Sequence, residues 1–415
     1  MCWVCLGRTE QGPFLSLEKS IVEMPLPLSD VTVVSLEQAI AAPLATRHLA
    51  DLGARVIKIE RPGGGDFARY YDTAARGLCS HFAWANRSKE SMTLDLKSPA
   101  GKEILSQLLK RADVFIQNLA PGAVERLGFD DKRLESEYPE LIVCHVSGYG
   151  ADGPYRDKKA YDLLIQAETG VVSVTGSEEE AAKSGIPVAD LAGGMYAYSS
   201  ILAALLQRER TRGGCVLHVS LFDGLCEWMG FPAYFSLGGT PPPRSGANHA
   251  SIAPYGPYAA GDGGSILFAI QNQREWERFC NDVLERPEMA SDDRFADNSR
   301  RVRNGAALRH EIESVFEAFT VEEAAARMER AQIASAELRD VSEFWQHPQL
   351  AARGRVAEVA SPVGPLPALE PATTSEAWPP RFDAIPALGA HTGPLLAELG
   401  YSSEQIAGLE RDGVV

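Results

Sequence analysis

The chain has 415 residues, 45% of them hydrophobic, and carries a net charge of −16 from 56 acidic and 40 basic side chains. That length exceeds what one core usually serves, so two or three domains are expected. The acidic balance excludes a general nucleic-acid binder, which needs a basic face, but leaves room for a small anion held in a local basic pocket.

Residues 1–23 contain charges that interrupt any apolar core, so they do not make a signal peptide and are expected to form an N-terminal extension, disordered or outside the native chain. Strand patterning starts after Met24. VTVVSLE (31–37) reads as a buried strand, APLATRHLADLG (42–53) as a helix closed by Gly53, and RVIKIE (55–60) as a second strand. Such alternation predicts βαβ units and a parallel sheet. In LKSPAGKEILSQLLKRAD, Ser98 is placed to cap a helix, Pro99 fits its first turn, and Ile104, Leu105, Leu108 and Leu109 share one side. DVFIQN (113–118) and LIVCHVSG (141–148) are two more buried strands. Residues 24 to about 200 therefore read as doubly wound; a long apolar helix (189–210) ends in charge, and CVLHVSLFDG (215–224) begins as a strand. GGTPPPRSG (238–246) is a turn-rich linker, after which SILFAIQNQREWERFCNDVL opens a smaller α+β region. A Pro-rich tail ends in helices at TGPLLAELG and SSEQIAGLE. No apolar run reaches the roughly 18 residues that span a bilayer.

The seven cysteines are scattered and odd in number, which fits a reduced, cytoplasmic chain. Cys2-x-x-Cys5 lacks a second pair, and the eight histidines form no HExxH, so no metal site is expected. A dinucleotide site needs GxGxxG in the first strand–helix turn. That turn reads LEQAIAAP, which argues against NAD or FAD. The glycines follow the second strand instead, in ERPGGGD (60–66), where they are either a flexible turn or part of a ligand site. Arg61 stands at the carboxyl end of a parallel strand, where open α/β sheets bind ligands. Lys89 and Arg126 follow near other strand and loop ends. Each alone reads as a solvated charge, and together they suit phosphates. Asp162, in KKAYDLLIQAETG (158–170), precedes Leu163, Leu164 and Ile165. It is either an N-cap of a helix opening at Leu163 or a carboxylate with a chemical use.

The segments LEQAIAAPLATRHLADLGARVIKIERPGGGD, NRSKESMTLDLKSPAGKEILSQLLKRADVFIQNLAPGAVERLGF, GYGADGPYRDKKAYDLLIQAETGVVSVTG, RSGANHASIAPYGPY and HPQLAARG occur in this order and together resemble the class III CoA-transferases, the CaiB/BaiF family, over residues 28–395. The resemblance implies an α/β fold: a large Rossmann-like domain (24–225), a small α+β domain (226–330), and a C-terminal region (331–415) that returns to the large domain, in an interlocked homodimer. It implies transfer of coenzyme A from an acyl-CoA to a free carboxylic acid, with Asp162 as the nucleophile and no permanently bound cofactor, coenzyme A or acyl-CoA being a substrate. The implied CoA contacts are Gln38, Ala39, Arg61, Lys89, Asn118, Leu119 and Arg126. Formyl-CoA transferases carry a Lys where this chain has Ser147 and a glycine run where it has RSGANHASIAPYGPY. These departures point away from oxalate and formate. A short dicarboxylate of roughly four or five carbons is expected, with Arg244, His249 and Tyr255 as candidates to meet its second carboxylate. Two alternatives stay open. A racemase-like isomerase of acyl-CoA needs a paired Asp and His, and the helix RLESEYPEL lacks the His. A non-catalytic CoA-binding protein needs no nucleophile.

Overall fold

The computed structural model describes residues 25–415; the expected extension over 1–23 and the Cys2 and Cys5 pair lie outside the described residues. The first unit runs β1 (Thr32–Leu36), α1 (Ala41–Asp51), β2 (Arg55–Glu60), α2 (Ser80–Ala85), β3 (Lys89–Thr93), α3 (Pro99–Leu109), β4 (Val114–Gln117), α4 (Ala123–Arg126), α5 (Asp131–Glu137), β5 (Ile142–Ser147), α6 (Asp162–Glu168), α7 (Val171–Val174), α8 (Val188–Thr211) and β6 (Cys215–Ser220). Its six strands form one parallel sheet in the order β3-β2-β1-β4-β5-β6. This is the doubly wound order, whose switch point between β1 and β4 opens a crevice at the carboxyl ends of the strands.

The strands are apolar on both faces because both faces are covered. Val33 points into a core shared with Leu49 of α1 and Ala197 and Ile201 of α8. Val34, its neighbour, points the other way, against Ile104 and Leu105 of α3 and, from far along the chain, Leu395, Leu396 and Val414. The cap expected of Ser98 is present: its hydroxyl accepts from the Gly101 amide at 2.9 Å, with Pro99 at the first position of α3. Helix α8 is long and apolar enough by composition to cross a membrane, although charges at its end keep its apolar run shorter than a bilayer span. In the fold it packs against α1, α9, β5 and β6. Gly194 makes the α1 contact possible, since a Cβ there would lie 2.7 Å from the Ala41 carbonyl oxygen.

Helices α9 (Leu221–Trp228) and α10 (Gly230–Ser236) lead out of this unit. The second unit contains β7 (Tyr255–Ala259), β8 (Ser265–Ala269), α11 (Gln273–Arg278), α12 (Asn298–Arg303), α13 (Gly305–Phe316), α14 (Val321–Arg330) and β9 (Ala334–Glu337). Its antiparallel sheet has the order β7-β8-β9 and covers a separate core that includes Phe268, Trp276, Phe279 and Phe316. Because β9 pairs with β8, this sheet runs on past residue 330, the bound that the resemblance set for the small domain. After α15 (Pro348–Ala352), the hairpin β10 (Val356–Val359) and β11 (Leu366–Leu369) packs on Cys79 and Phe82 of the first unit. Helices α16 (Thr392–Glu398) and α17 (Ser403–Arg411) then close over the sheet.

Candidate active site

A cavity of about 480 Å³ opens at the carboxyl ends of the first three strands, lined by Gln38, Arg61, Asp66, Lys97, Leu119 and Gly413 among others. The turn after β1 forms one wall without glycine. Ala39 takes a left-handed φ of 61°, and its amide donates to Asp66 Oδ1 at 3.1 Å. Asn118 fixes the same turn from β4: its Oδ1 accepts from the Gln38 amide and its Nδ2 donates to the Gln38 carbonyl, both at 2.8 Å. The glycine turn after β2 is a built feature. Gly63 and Gly65 have φ of 71° and 61°, and the Arg61 guanidinium folds back toward the Gly65 carbonyl at 3.4 Å. Arg126 is exposed on α4, next to Leu127 of the cavity wall, with Nη1 donating to the Pro121 carbonyl at 3.3 Å.

Lys89 is different. It is the first residue of β3 and its ammonium is enclosed, donating to Glu37 Oε1 (2.7 Å), the Pro43 carbonyl (2.8 Å) and Asn86 Oδ1 (3.1 Å). It does not line the cavity. Burial, set against the pull of Glu37, lowers it to about 7. Lys58, also enclosed, bonds Asp66 at 2.8 Å and Glu37 at 3.4 Å. Beside them burial pushes Glu60 up, but the Arg69 guanidinium, Lys58 and the Ser91 hydroxyl hold it at about 2. These pairs form a charged floor under the cavity, matched internally.

Asp162 is the first residue of α6, but its carboxylate does not cap that helix. Oδ1 accepts from the amides of Ala189 (2.8 Å) and Asp190 (3.3 Å), in the first turn of α8. Oδ2 accepts from Gln166 Nε2 at 2.7 Å, one turn along α6. Gln166 is in turn held by the Ser184 amide, which donates to its Oε1 at 2.9 Å. The carboxylate therefore sits at the N-terminus of a 24-residue helix, where orphan amides and the aligned peptide dipoles favour an anion. Leu163 and Leu164 are 48% and 47% exposed, so the apolar run does not enclose Asp162 within one chain. Asp190 lies beside it. Burial, reinforced by the charge of Asp162, raises the Asp190 carboxyl to about 7.

A second cavity, of about 530 Å³, lies between the loop after α7 and the segment before β7, and Arg244, His249 and Tyr255 all line it. Arg244 donates to the carbonyls of Ser177 and Glu178, each at 2.8 Å. The His249 ring stacks on Tyr255 with centroids 5.2 Å apart. Of the residues marked in the sequence, Gln38, Arg61 and Leu119 share the first cavity wall. Ala39, Asn118 and Arg126 border it, Lys89 lies beneath it, and Asp162 stands on α6. The sequence reading missed Lys97, a base at the mouth, and the partners of Asp162. Lys97 carried a signal, since it closes MTLDLK after β3. The amides at 189 and 190 carried none.

Residues 28–392 match CoA-transferase family III. The succinyl-CoA:glutarate CoA-transferase of Homo sapiens is 32% identical over 400 residues, 94% of this chain and 90% of that protein. The acetyl-CoA:oxalate CoA-transferase of Acetobacter aceti is 34% identical over 330 residues, 79% of this chain and 84% of that protein. The crystal structure of a CaiB/BaiF family protein from Brucella suis superposes with a TM-score of 0.80 at 32% identity, covering 91% of this chain and 100% of that one. A doubly wound parallel sheet with a cavity at its carboxyl edge and these matches lead to one conclusion: the chain belongs to CoA-transferase family III, the class III (CaiB/BaiF) CoA-transferases.

Proposed function

We propose that the chain moves coenzyme A from an acyl-CoA to a short dicarboxylic acid through covalent chemistry at Asp162. The observation that carries this reading is the half-buried Asp162 carboxylate, held by three donors on two helices. It attacks the thioester carbonyl and expels CoA as thiolate, giving an acyl-aspartyl anhydride. The thiolate attacks the aspartyl carbonyl, forming the aspartyl-CoA thioester and freeing the donor acid. The acceptor carboxylate then reverses the sequence. Dividing the exchange in this way preserves the thioester's energy. Once Asp162 is acylated, the Ala189 and Asp190 amides point at the carbonyl oxygen on which negative charge develops, which suits an oxyanion hole.

Arg61, Lys97 and Arg126 are the bases available to the CoA phosphates around the first cavity. The named relatives act on glutarate and oxalate, both dicarboxylates, which supports that acid class. Oxalate accordingly stays in the panel, despite the departures at Ser147 and 244–258. Arg244, His249 and the Tyr255 hydroxyl are the groups to meet the distal carboxylate. The reading includes a homodimer in the cytoplasm. It is supported by the apolar side chains exposed on α9 and α10, where Tyr234 is 79% and neighbouring Leu237 80% exposed. No histidine bonds Asp162 among the described residues, so nothing favours a racemase.

The test offers succinyl-CoA and acetyl-CoA with a panel of free acids and reads the CoA esters formed by mass spectrometry. Transfer to glutarate, oxalate or another dicarboxylate is expected. Asp162→Ala should lose transfer by several orders of magnitude while still binding CoA. Retained turnover in that variant would sink the nucleophile. Deuterium wash-in at the α-carbon without transfer would mark an isomerase instead.

A further inference from the structure

We propose that Gln166 is a further catalytic residue: it selects Oδ2 as the oxygen of Asp162 that attacks, and it follows that oxygen as it leaves with the donor acid. The proposal rests on the nucleophile reading above and adds to it a group that acts on the reacting atom. Gln166 is one turn beyond Asp162 on α6, so the two side chains lie on one face of the helix. It is fully buried, unlike Leu163 and Leu164 in the same turn. Its amide is used at both ends: Oε1 accepts from the Ser184 amide at 2.9 Å, and Nε2 donates to Asp162 Oδ2 at 2.7 Å. A backbone N–H can only donate. Ser184 therefore fixes which end of the side-chain amide is oxygen and leaves the N–H end for the carboxylate.

Counting lone pairs separates the two carboxylate oxygens. A carboxylate offers about four acceptor sites, two on each oxygen. Oδ1 uses both on the amides of Ala189 and Asp190. Oδ2 uses one on Gln166 and keeps the other free to attack. In that attack the bond from Oδ2 to the acyl carbon forms, the carbon–sulfur bond breaks, and sulfur leaves with the electron pair as thiolate. Oδ1 becomes the aspartyl carbonyl oxygen of the anhydride without changing donors. When the thiolate adds to Cγ, the Cγ–Oδ2 bond breaks and the donor acid departs as a carboxylate that contains Oδ2. Charge returns to that oxygen as the bond breaks, so the Gln166 hydrogen bond is stronger in this transition state than in the anhydride. The acceptor acid enters by the reverse path and supplies a new oxygen to the same position. No proton moves in these steps.

Gln166→Glu isolates the donor, because glutamate keeps the shape and the acceptor for Ser184 and places an oxygen where Nε2 stood. Gln166→Met keeps only the volume, and Gln166→Asn keeps the amide but withdraws it from Oδ2. Each full-length variant is mixed with succinyl-CoA and quenched over time. The covalent adduct is trapped with hydroxylamine and quantified on the Asp162 peptide by mass spectrometry. Calorimetry with CoA on the same samples refers each rate to folded protein that binds CoA. Near neutral pH all three variants should form the adduct about 10²–10³-fold more slowly, the cost of one donor to a developing charge, with CoA affinity little changed. Neutral glutamate has an O–H to donate. Lowering the pH should therefore bring Gln166→Glu back toward wild type at the same pH and leave Gln166→Met as far below it. A variant that binds CoA and forms the adduct at the wild-type rate overturns the proposal. So does the absence of acid rescue, which makes Gln166 a brace for the segment that carries Ser184, and so does loss of CoA binding in all three variants. If wild type yields no adduct at Asp162, the nucleophile reading fails. If wild type and variants yield it equally fast, only the role of Gln166 fails.

Discussion

Lys89 and Arg61 look alike on paper, each a base at the end of an apolar strand, and the structure separates them. Arg61 faces the cavity and Lys89 is sealed beneath it. Arg61→Ala is expected to raise the KM for acyl-CoA roughly tenfold to a hundredfold, the worth of one charge-assisted phosphate contact. Lys89→Met should instead cost about 3–5 kcal/mol in denaturant unfolding, because it leaves Glu37 buried with one partner fewer. The sequence singled out Asp162 as the proposed nucleophile, since the motif around it is long. It did not reveal that Lys89 is enclosed, because local sequence does not say which strand end the chain will cover. Nor did it reveal the donors to Asp162. Two of them lie 27 and 28 residues away and depend on how α6 meets α8.

At the scale of elements, α8 holds the site together. Its first turn holds Asp162 and its next turns pack on α1 and α9 through glycines. Gly194→Val would push a side chain into the Ala41 carbonyl and is expected to destabilise the protein by about 1–3 kcal/mol, measured by chemical denaturation. Helix α8 was readable nearly to its ends, as its apolar length is unbroken; the register by which it meets α1 was not, since two adjacent glycines permit a close approach without naming the partner. Asp190 makes the stability of this turn depend on pH. Its folded carboxyl binds a proton more tightly than the unfolded chain does. Its contribution is therefore full below the ordinary aspartate value of about 3.9 and is lost as pH rises to about 7. Asp190→Asn removes that loss. The gain in Tm over wild type should grow from pH about 4 to 7 and stay level above.

For the molecule as a whole, two units that do not share a core imply two partly separable stabilities. Leu396 is fully buried against the sheet, so Leu396→Ala should cost about 2–5 kcal/mol in the first unit and leave unfolding of the phenylalanine-rich second unit little changed. Paired fluorescence and far-UV melts would resolve the two. Light scattering at assay concentration tests the dimer, which the exposed apolar surface of α9 and α10 favours; a fully active monomer would contradict it. The doubly wound sheet was legible because each strand and helix is marked locally. The return of α16 and α17 to that sheet is not marked locally and came only with the family resemblance.

That return has a kinetic consequence. The Ser91 amide donates to the His391 ring across 300 positions, Thr93 bonds Thr392 across 299, and Arg55 bonds Glu398 across 343. Contacts of such sequence separation pay a large loop-closure entropy before they reward it, so they form late. Until they do, one face of β2 and β3 lies bare and the cavity lacks its Gly413 wall. Refolding from denaturant should therefore pass through a collapsed intermediate with a native-like sheet and no affinity for CoA, with ligand binding regained in a slower phase than helical signal. The interval between the two phases is the time in which the bare sheet is open to association with other chains, and refolding yield should fall with protein concentration for that reason.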